Sequence, residues 1–392
     1  MLKRVVFVLV VLSVLSACAP APTATPVPTA TTAPTVRPAP TATSAPTATR
    51  APTATPAPTA TPAPTATPAG PREVVIMTHD SFAATESVIK EFESANNARV
   101  KILKSGDAGS ALNKAILAKA SPLADVFYGV DNTFLSRALK EGIFEAYKPA
   151  RASQIPGEFV LDTEWRATPI DYGDVCLNYD RAYFAKKNLP PPQTLDDLIK
   201  PAYKGLTVVE NPATSSPGLA FLLATVGYFG KDKYLDFWKA LRANDLLVTE
   251  GWSDAYYAKS TWGGKGGDRP IVVSYATSPA AEVYFSQGKL TEPPTGNVLG
   301  DGACFRQIEF IGVLKGAKNP DLARKFVDFM LSTKFQEDIP LQMFVFPVMP
   351  DAKLPDFYKF AQIPKKPAFV SAADIDANRE AWIKAWTEVV LR

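Results

Sequence analysis

Val74-Val75-Ile76-Met77-Thr78-His79-Asp80-Ser81 is the stretch on which the fold turns. An apolar, β-branched run ends abruptly in three polar residues, as a buried strand does when it reaches its carboxyl end. The period then changes. Val88, Ile89, Phe92 and Ala95 share one helical face, with Glu86, Lys90 and Glu93 on the other. Arg99-Val100-Lys101-Ile102-Leu103 is a second strand, running into Ser105-Gly106-Asp107-Ala108-Gly109. A helix over Ala111–Ala120 and a strand over Asp125–Val130, ending at Asp131-Asn132, complete a βαβαβ rhythm. That rhythm predicts a parallel sheet with helices on its faces, an α/β fold. Open sheets of this kind bind ligands beyond the carboxyl ends of their strands. His79, Asp80, Asp107, Asp131 and Asn132 are therefore candidate site residues. Each has a plainer reading: a structural histidine, turn chemistry around Asp107, and helix caps at Asp131 and Asn132.

Further along, Thr168–Asp180 reads as a strand crossing into a second lobe, with Asp171 and Tyr172 at the hinge. Three motifs follow. Glu210-Asn211-Pro212-Ala213-Thr214-Ser215-Ser216-Pro217-Gly218 is a hydroxyl-rich turn leading into the apolar run Leu219–Leu223. It sets the free N–H groups of a helix start beside the Thr214, Ser215 and Ser216 hydroxyls, an anion pocket without a lysine. A simple cap would need only one of the three. Gly251-Trp252-Ser253-Asp254-Ala255-Tyr256 and Val273-Ser274-Tyr275-Ala276-Thr277-Ser278-Pro279 each put an aromatic beside a hydroxyl, suited to a flat polar ring. Trp252 also has a core reading. Phe305–Val313 is the returning strand, Pro320 opens a helix over Leu322–Leu331, and Trp382 and Trp386 mark the core face of a terminal helix.

The N-terminus differs in kind. Met1-Leu2-Lys3-Arg4 and the apolar run Val5–Leu15 lead to Leu15-Ser16-Ala17-Cys18, which looks like a bacterial lipoprotein cleavage box and implies lipidation at Cys18. An ordinary secretory signal is the alternative. Residues 19–70 repeat Ala-Pro-Thr-Ala-Thr-Pro, hold 14 of the 36 prolines and have no aromatic residue. Such a segment predicts an extended spacer, on the order of 150 Å long at about 3.1 Å per residue. The formal charge of +3 misleads, because Lys3, Arg4, Arg37 and Arg50 lie within the first 70 residues, which have no acid. The remainder is about one charge negative, so no nucleic-acid or membrane-surface affinity follows.

Taken together and in order, Thr78–Ala84, Gly129–Asn132, Asp171–Gly173, Asn211–Leu219, Gly251–Tyr256, Ser274–Pro279 and Arg379–Trp386 resemble the thiamine-binding components of bacterial ABC transporters. The likeness runs over residues 73–392. It implies a type II periplasmic-binding-protein-like fold: two lobes, each a mixed β-sheet flanked by helices, closing about a hinge. The lobes would be 71–170 with 285–392, and 171–284. It also implies a monomer that binds thiamine, thiamine phosphate or thiamine diphosphate, uses no cofactor or metal, catalyses nothing, and serves a permease and its ATPase outside the cell membrane. By that likeness Asp107 faces the charged or amino part of the ligand, and Trp252 and Tyr275 flank its rings. Thr214, Ser215 and Ser216 hold the phosphate or hydroxyethyl arm. The sequence departs from the family at His79, where a Tyr is usual, at Ala281, where a Tyr is common, and at Phe344, in place of a Trp. Tyr284, one turn beyond Ala281, is placed to compensate in part.

Rival readings are a ferric-ion-binding protein using Tyr256 and Tyr257, a secreted serine hydrolase, and a structural surface protein. His79 is the sole histidine and no Gly-x-Ser-x-Gly occurs, which disfavours the hydrolase. Cys176 and Cys304 lie in the two strands expected to cross between lobes. In an exported chain they either bond to each other or stay as two unpaired buried thiols.

Overall fold

The computed structural model describes residues 70–392. The signal segment, Cys18 and the proline-rich repeat up to residue 69 lie outside them. The first unit forms as its periodicity requires: β1 (Arg72–Thr78), α1 (Glu86–Asn96), β2 (Ala98–Lys104), α2 (Ala108–Leu117) and β3 (Val126–Asp131), with β1 parallel to both β2 and β3. α1 buries Val88 and Phe92. α2 starts at Ala108, three residues earlier than expected, because the Asp107 carboxylate accepts the Ala108 amide at 2.7 Å and caps it.

After α3 (Leu135–Lys140) and β4 (Phe144–Glu145) comes β5 (Thr168–Asp180), a single 13-residue strand. The next stretch holds α4 (Arg181–Lys187), β6 (Thr207–Glu210), α5 (Ser216–Phe229), α6 (Tyr234–Ala243), β7 (Leu247–Thr249), β8 (Ile271–Tyr275), α7 (Ser278–Phe285) and β9 (Thr295–Val298). β10 (Phe305–Leu314) returns, and α8 (Pro320–Met330), α9 (Thr333–Gln342), β11 (Phe346–Pro347) and α10 (Ala372–Val390) close the chain.

The two halves were expected to carry a sheet each. Their strands are joined through β5 and β10 into one sheet, in the order β2-β1-β3-β10-β5-β8-β6-β7. β5 and β10 are antiparallel neighbours, with Glu309 opposite Asp171 and Phe305 opposite Val175. They can serve both halves because they are long and buried over most of their length. Register shifts at Glu309/Phe310 and Phe310/Ile311 break the ladder where β10 passes from one half to the other.

α5 is buried over its first eleven residues and has no polar stripe, the mark of a helix with core on every side. Trp238 of α6 meets Trp386 of α10 edge-on at 5.5 Å, and both are fully buried, so the tail tryptophan packs in the core. Cys176 and Cys304 are joined as a disulfide that ties β5 to the start of β10. Gly129 has φ +104° and lies against the His79 ring, where a Cβ would come within 2.4 Å of His79 Cδ2. Only glycine leaves the ring room there.

Candidate ligand-binding site

The carboxyl ends of β1 and β8, the starts of α2 and α5 and the turn after β7 converge on a cavity of about 820 Å³. That is ample for a ligand of thiamine size. Trp252 forms one wall. Its ring stacks on Tyr256 at 4.9 Å, meets Tyr257 edge-on at 5.4 Å, and donates its indole N–H to the Ser274 hydroxyl at 2.9 Å. One indole face is thus covered by protein. Tyr275 stands 6.4 Å away at 67°, and its hydroxyl donates to Gln307 at 3.0 Å. The two rings make a corner. Near the mouth, Tyr284 and Phe285 of α7 contact Phe344, which has φ +55°, and Tyr284 also packs on Phe357.

Of the residues singled out in the sequence, His79, Asp107, Ser216, Trp252, Tyr275 and Phe344 line this cavity. Thr214, Ser215, Asp80 and Asp131 do not, and in each case a partner within the protein explains why. The Thr214 hydroxyl donates to the Glu250 carbonyl at 2.7 Å. Ser215 is fully buried and caps α5, accepting the Gly218 amide. Asp80 accepts the Gly106 amide, and fully buried Asp131 accepts from Thr133 and Phe134 as an ordinary cap. Ser216 is present, but its hydroxyl accepts from the Gln307 amide at 2.9 Å.

The proposed anion pocket is already filled, by Asp107. One of its oxygens accepts the Ser216 amide at 3.4 Å as well as Ala108, and the other accepts the Trp252 amide at 3.0 Å. A carboxylate capping α2 therefore also sits at the positive end of α5 and ties down the turn that carries Trp252. The Ser110 amide adds a bond to the Thr214 carbonyl, and the Ser81 and Ser253 hydroxyls meet at 3.3 Å. The two halves touch around the cavity.

Below lies a knot of acids in which Asp171, expected at the hinge, meets Glu309, which the sequence reading missed. Glu309, on β10, lines the cavity; its Oε1 is 3.5 Å from His79 Nε2, and its Oε2 accepts from Tyr128 at 3.0 Å. Tyr128 also bonds to Asp171. Burial, followed by the charge on Glu309, pushes Asp171 well above the carboxylate range. Burial would raise Glu309 too, but the His79 cation beside it and its hydrogen bonds bring it below its usual value. Burial works against the His79 cation, and Glu309 more than reverses this, so His79 titrates higher than a free imidazole. One phenolic proton cannot serve two carboxylates. The arrangement that satisfies all three has neutral Asp171 donating to Tyr128 and Tyr128 donating to ionised Glu309. A lone acid in the apolar run Ile308–Val313 was the available signal. Burial also raises Glu282, on the cavity wall, to about 7, although both its oxygens accept, from Tyr256 and Thr295.

An α/β body of two halves joined by crossing strands, around a roomy aromatic cleft floored with acid, defines a solute-binding protein of the two-lobed type. Similarity to known proteins specifies it further. Residues 121–378 match the family of bacterial extracellular solute-binding proteins, and the chain belongs to that family. A thiamine-binding periplasmic protein of Escherichia coli is 32% identical over 326 residues, covering 81% of this chain and 94% of the relative. One from Brucella melitensis is 32% identical over 336 residues, 82% of this chain and 92% of the relative. A solved periplasmic thiamin binding protein superposes with a TM-score of 0.72 at 29% identity, covering 83% of this chain and all of that one.

Proposed function

We propose that this chain captures thiamine outside the cell membrane and hands it to an ABC permease powered by its ATPase, without transforming it. Supporting this are relatives named for thiamine binding that align over more than nine-tenths of their length. The single structural observation that carries it is the aromatic corner of Trp252 and Tyr275 over an acidic floor. A flat cation gains from indole and phenol faces and from nearby carboxylate. Capture works by closure of the lobes 71–170 with 285–392 on 171–284, with Cys18 lipidated and residues 19–70 as the tether. The protein acts as a monomer. Thiamine phosphate and thiamine diphosphate remain candidate cargoes, but a phosphate at the start of α5 must first displace Asp107. Isothermal titration with thiamine and its two phosphates is the direct test. Submicromolar to micromolar binding of at least one of them is the expected result, and no heat with all three refutes the reading.

A further inference from the structure

The cleft is lined by three acids, Asp107, Glu282 and Glu309, and they are not equivalent. Asp107 has both oxygens engaged by backbone amides of Ala108, Ser216 and Trp252. Glu282 has both engaged by hydroxyls, of Tyr256 and Thr295. Glu309 alone keeps an oxygen without a hydrogen bond. Its Oε2 holds Tyr128, while Oε1 faces His79 Nε2 at 3.5 Å, and that nitrogen makes no hydrogen bond of its own. We propose that Glu309 is the counter-ion that makes this cavity select a cation, and that His79 is its built-in competitor, holding the carboxylate until a positively charged ligand takes its place. Asp107, the residue the sequence suggests for the charged part of the ligand, becomes a clasp between the two halves.

The surroundings fit the assignment. Glu309 sits on a crossing strand beneath Tyr275, whose phenol is held protonated by burial and by the nearby charges of Glu309 and Asp107. Neutral Asp171 and the Tyr128 hydroxyl spare Glu309 an adjacent negative charge and supply it with a donor. A buried carboxylate is costly unless paired. Here one cation is always at hand: His79 in the empty cleft, and the ligand in its place in the filled one. His79 weakens the attraction for the ligand and keeps the empty site from holding an unpaired charge.

The inference rests on thiamine as the ligand and is tested with a neutral counterpart. Thiochrome, the flat and uncharged oxidation product of thiamine, is the control. Isothermal titration of the whole chain is expected to show wild type preferring thiamine. Glu309→Gln should weaken thiamine at least tenfold and change thiochrome less than threefold, so that the discrimination collapses. His79→Gln should tighten thiamine several-fold with little change for thiochrome, and it carries the test should Glu309→Gln not fold. Wild type that binds neither thiamine nor either of its phosphates overturns the proposed function and this inference together, and wild type that binds only a phosphate ester overturns this inference alone. Wild type that binds thiamine while Glu309→Gln binds it unchanged, or loses both ligands equally, overturns this inference alone. So does His79→Gln that leaves thiamine unchanged or weakened.

Discussion

Replacing Asp107 with Ala removes one carboxylate and three of its contacts. The Ala108 bond belongs to α2, and its loss costs about 1 kcal/mol of stability whether the cleft is open or shut. The other two cross the cleft, to the amides of Trp252 at 3.0 Å and Ser216 at 3.4 Å. A hydrogen bond to a charged group contributes about 1.5–3 kcal/mol net. The shorter bond should reach that range, whereas the longer one should fall below it. The shut form is therefore weakened by about 2–4 kcal/mol, a shift of roughly 30- to 800-fold in the open–shut equilibrium. If the shut form binds, the apparent affinity falls by up to that factor, because each ligand must first drive closure. Asp107→Asn keeps one acceptor and the shape, and should fall between the two. Small-angle scattering of the empty protein reports the equilibrium directly, with a larger radius of gyration expected for Asp107→Ala, and titration with thiamine reports the affinity. An unchanged radius with an unchanged affinity would show that Asp107 is no clasp.

Trp252→Ala removes the indole wall and its bond to Ser274, and should cost about 2 kcal/mol of binding or more, roughly thirtyfold; a loss under threefold in titration counts against the aromatic corner. Asp131→Asn should leave thiamine affinity alone, since the side chain caps Thr133 and Phe134 away from the cavity. Its effect is on stability. Burial holds the Asp131 carboxyl up at about 7, so the native state binds the proton more tightly than the unfolded chain. That stability is complete below about pH 4 and fades as pH rises through 7. Asp131→Asn should thus gain about 2–4 kcal/mol over wild type at pH 8 and almost nothing at pH 4, by denaturant titration. Cys176 and Cys304 should take no thiol label in denaturant without reductant, and both should label after reduction. Closing a loop with a sequence separation of 128 accounts for roughly 4–5 kcal/mol in the chain-entropy picture, so reduction should lower the melting temperature clearly.

The architecture was legible because it is written in periods. β1, β2, β3, α8 and α10 fall within a few residues of where alternation and helical spacing put them, since each buries one face against a common core. Trp252 and Tyr275 also announced themselves as aromatics in polar settings, and both line the cavity. The hydroxyl run at Thr214–Ser216 did not disclose its partner. A bare helix start looks the same in sequence whether a ligand or a carboxylate 109 positions upstream fills it. Nor did spacing reveal that Tyr256 covers one face of Trp252, because stacking depends on the π-helical turn over Asp254–Lys259 that swings Tyr256 back. Glu309 was hidden for a different reason: in a strand of ten residues it reads as one polar interruption. Only the register with Asp171 and the approach of His79 turn it into a site.

The proposed closure would ask the crossing strands to bend without sliding, because a slip of one residue would turn every side chain of β5 and β10 to the opposite face. The structure separates these two demands along the strands. The disulfide from Cys176 to Cys304 pins the register at one end, beside the Val175–Phe305 pair. The register shifts lie four to six residues further along β10, at Glu309 to Ile311, where the ladder is interrupted and the strand is easiest to flex. Glu309 thus lies both on the floor of the cavity and at the interruption of the ladder. On the proposed reading, a ligand drawn to its carboxylate would settle near the pivot, where rotation would move it least and bring Trp252 and the start of α5 toward it. Charge recognition placed out on a lobe would have to be rebuilt at every closing; placed at the pivot, the proposed counter-ion would serve the open and the shut form alike.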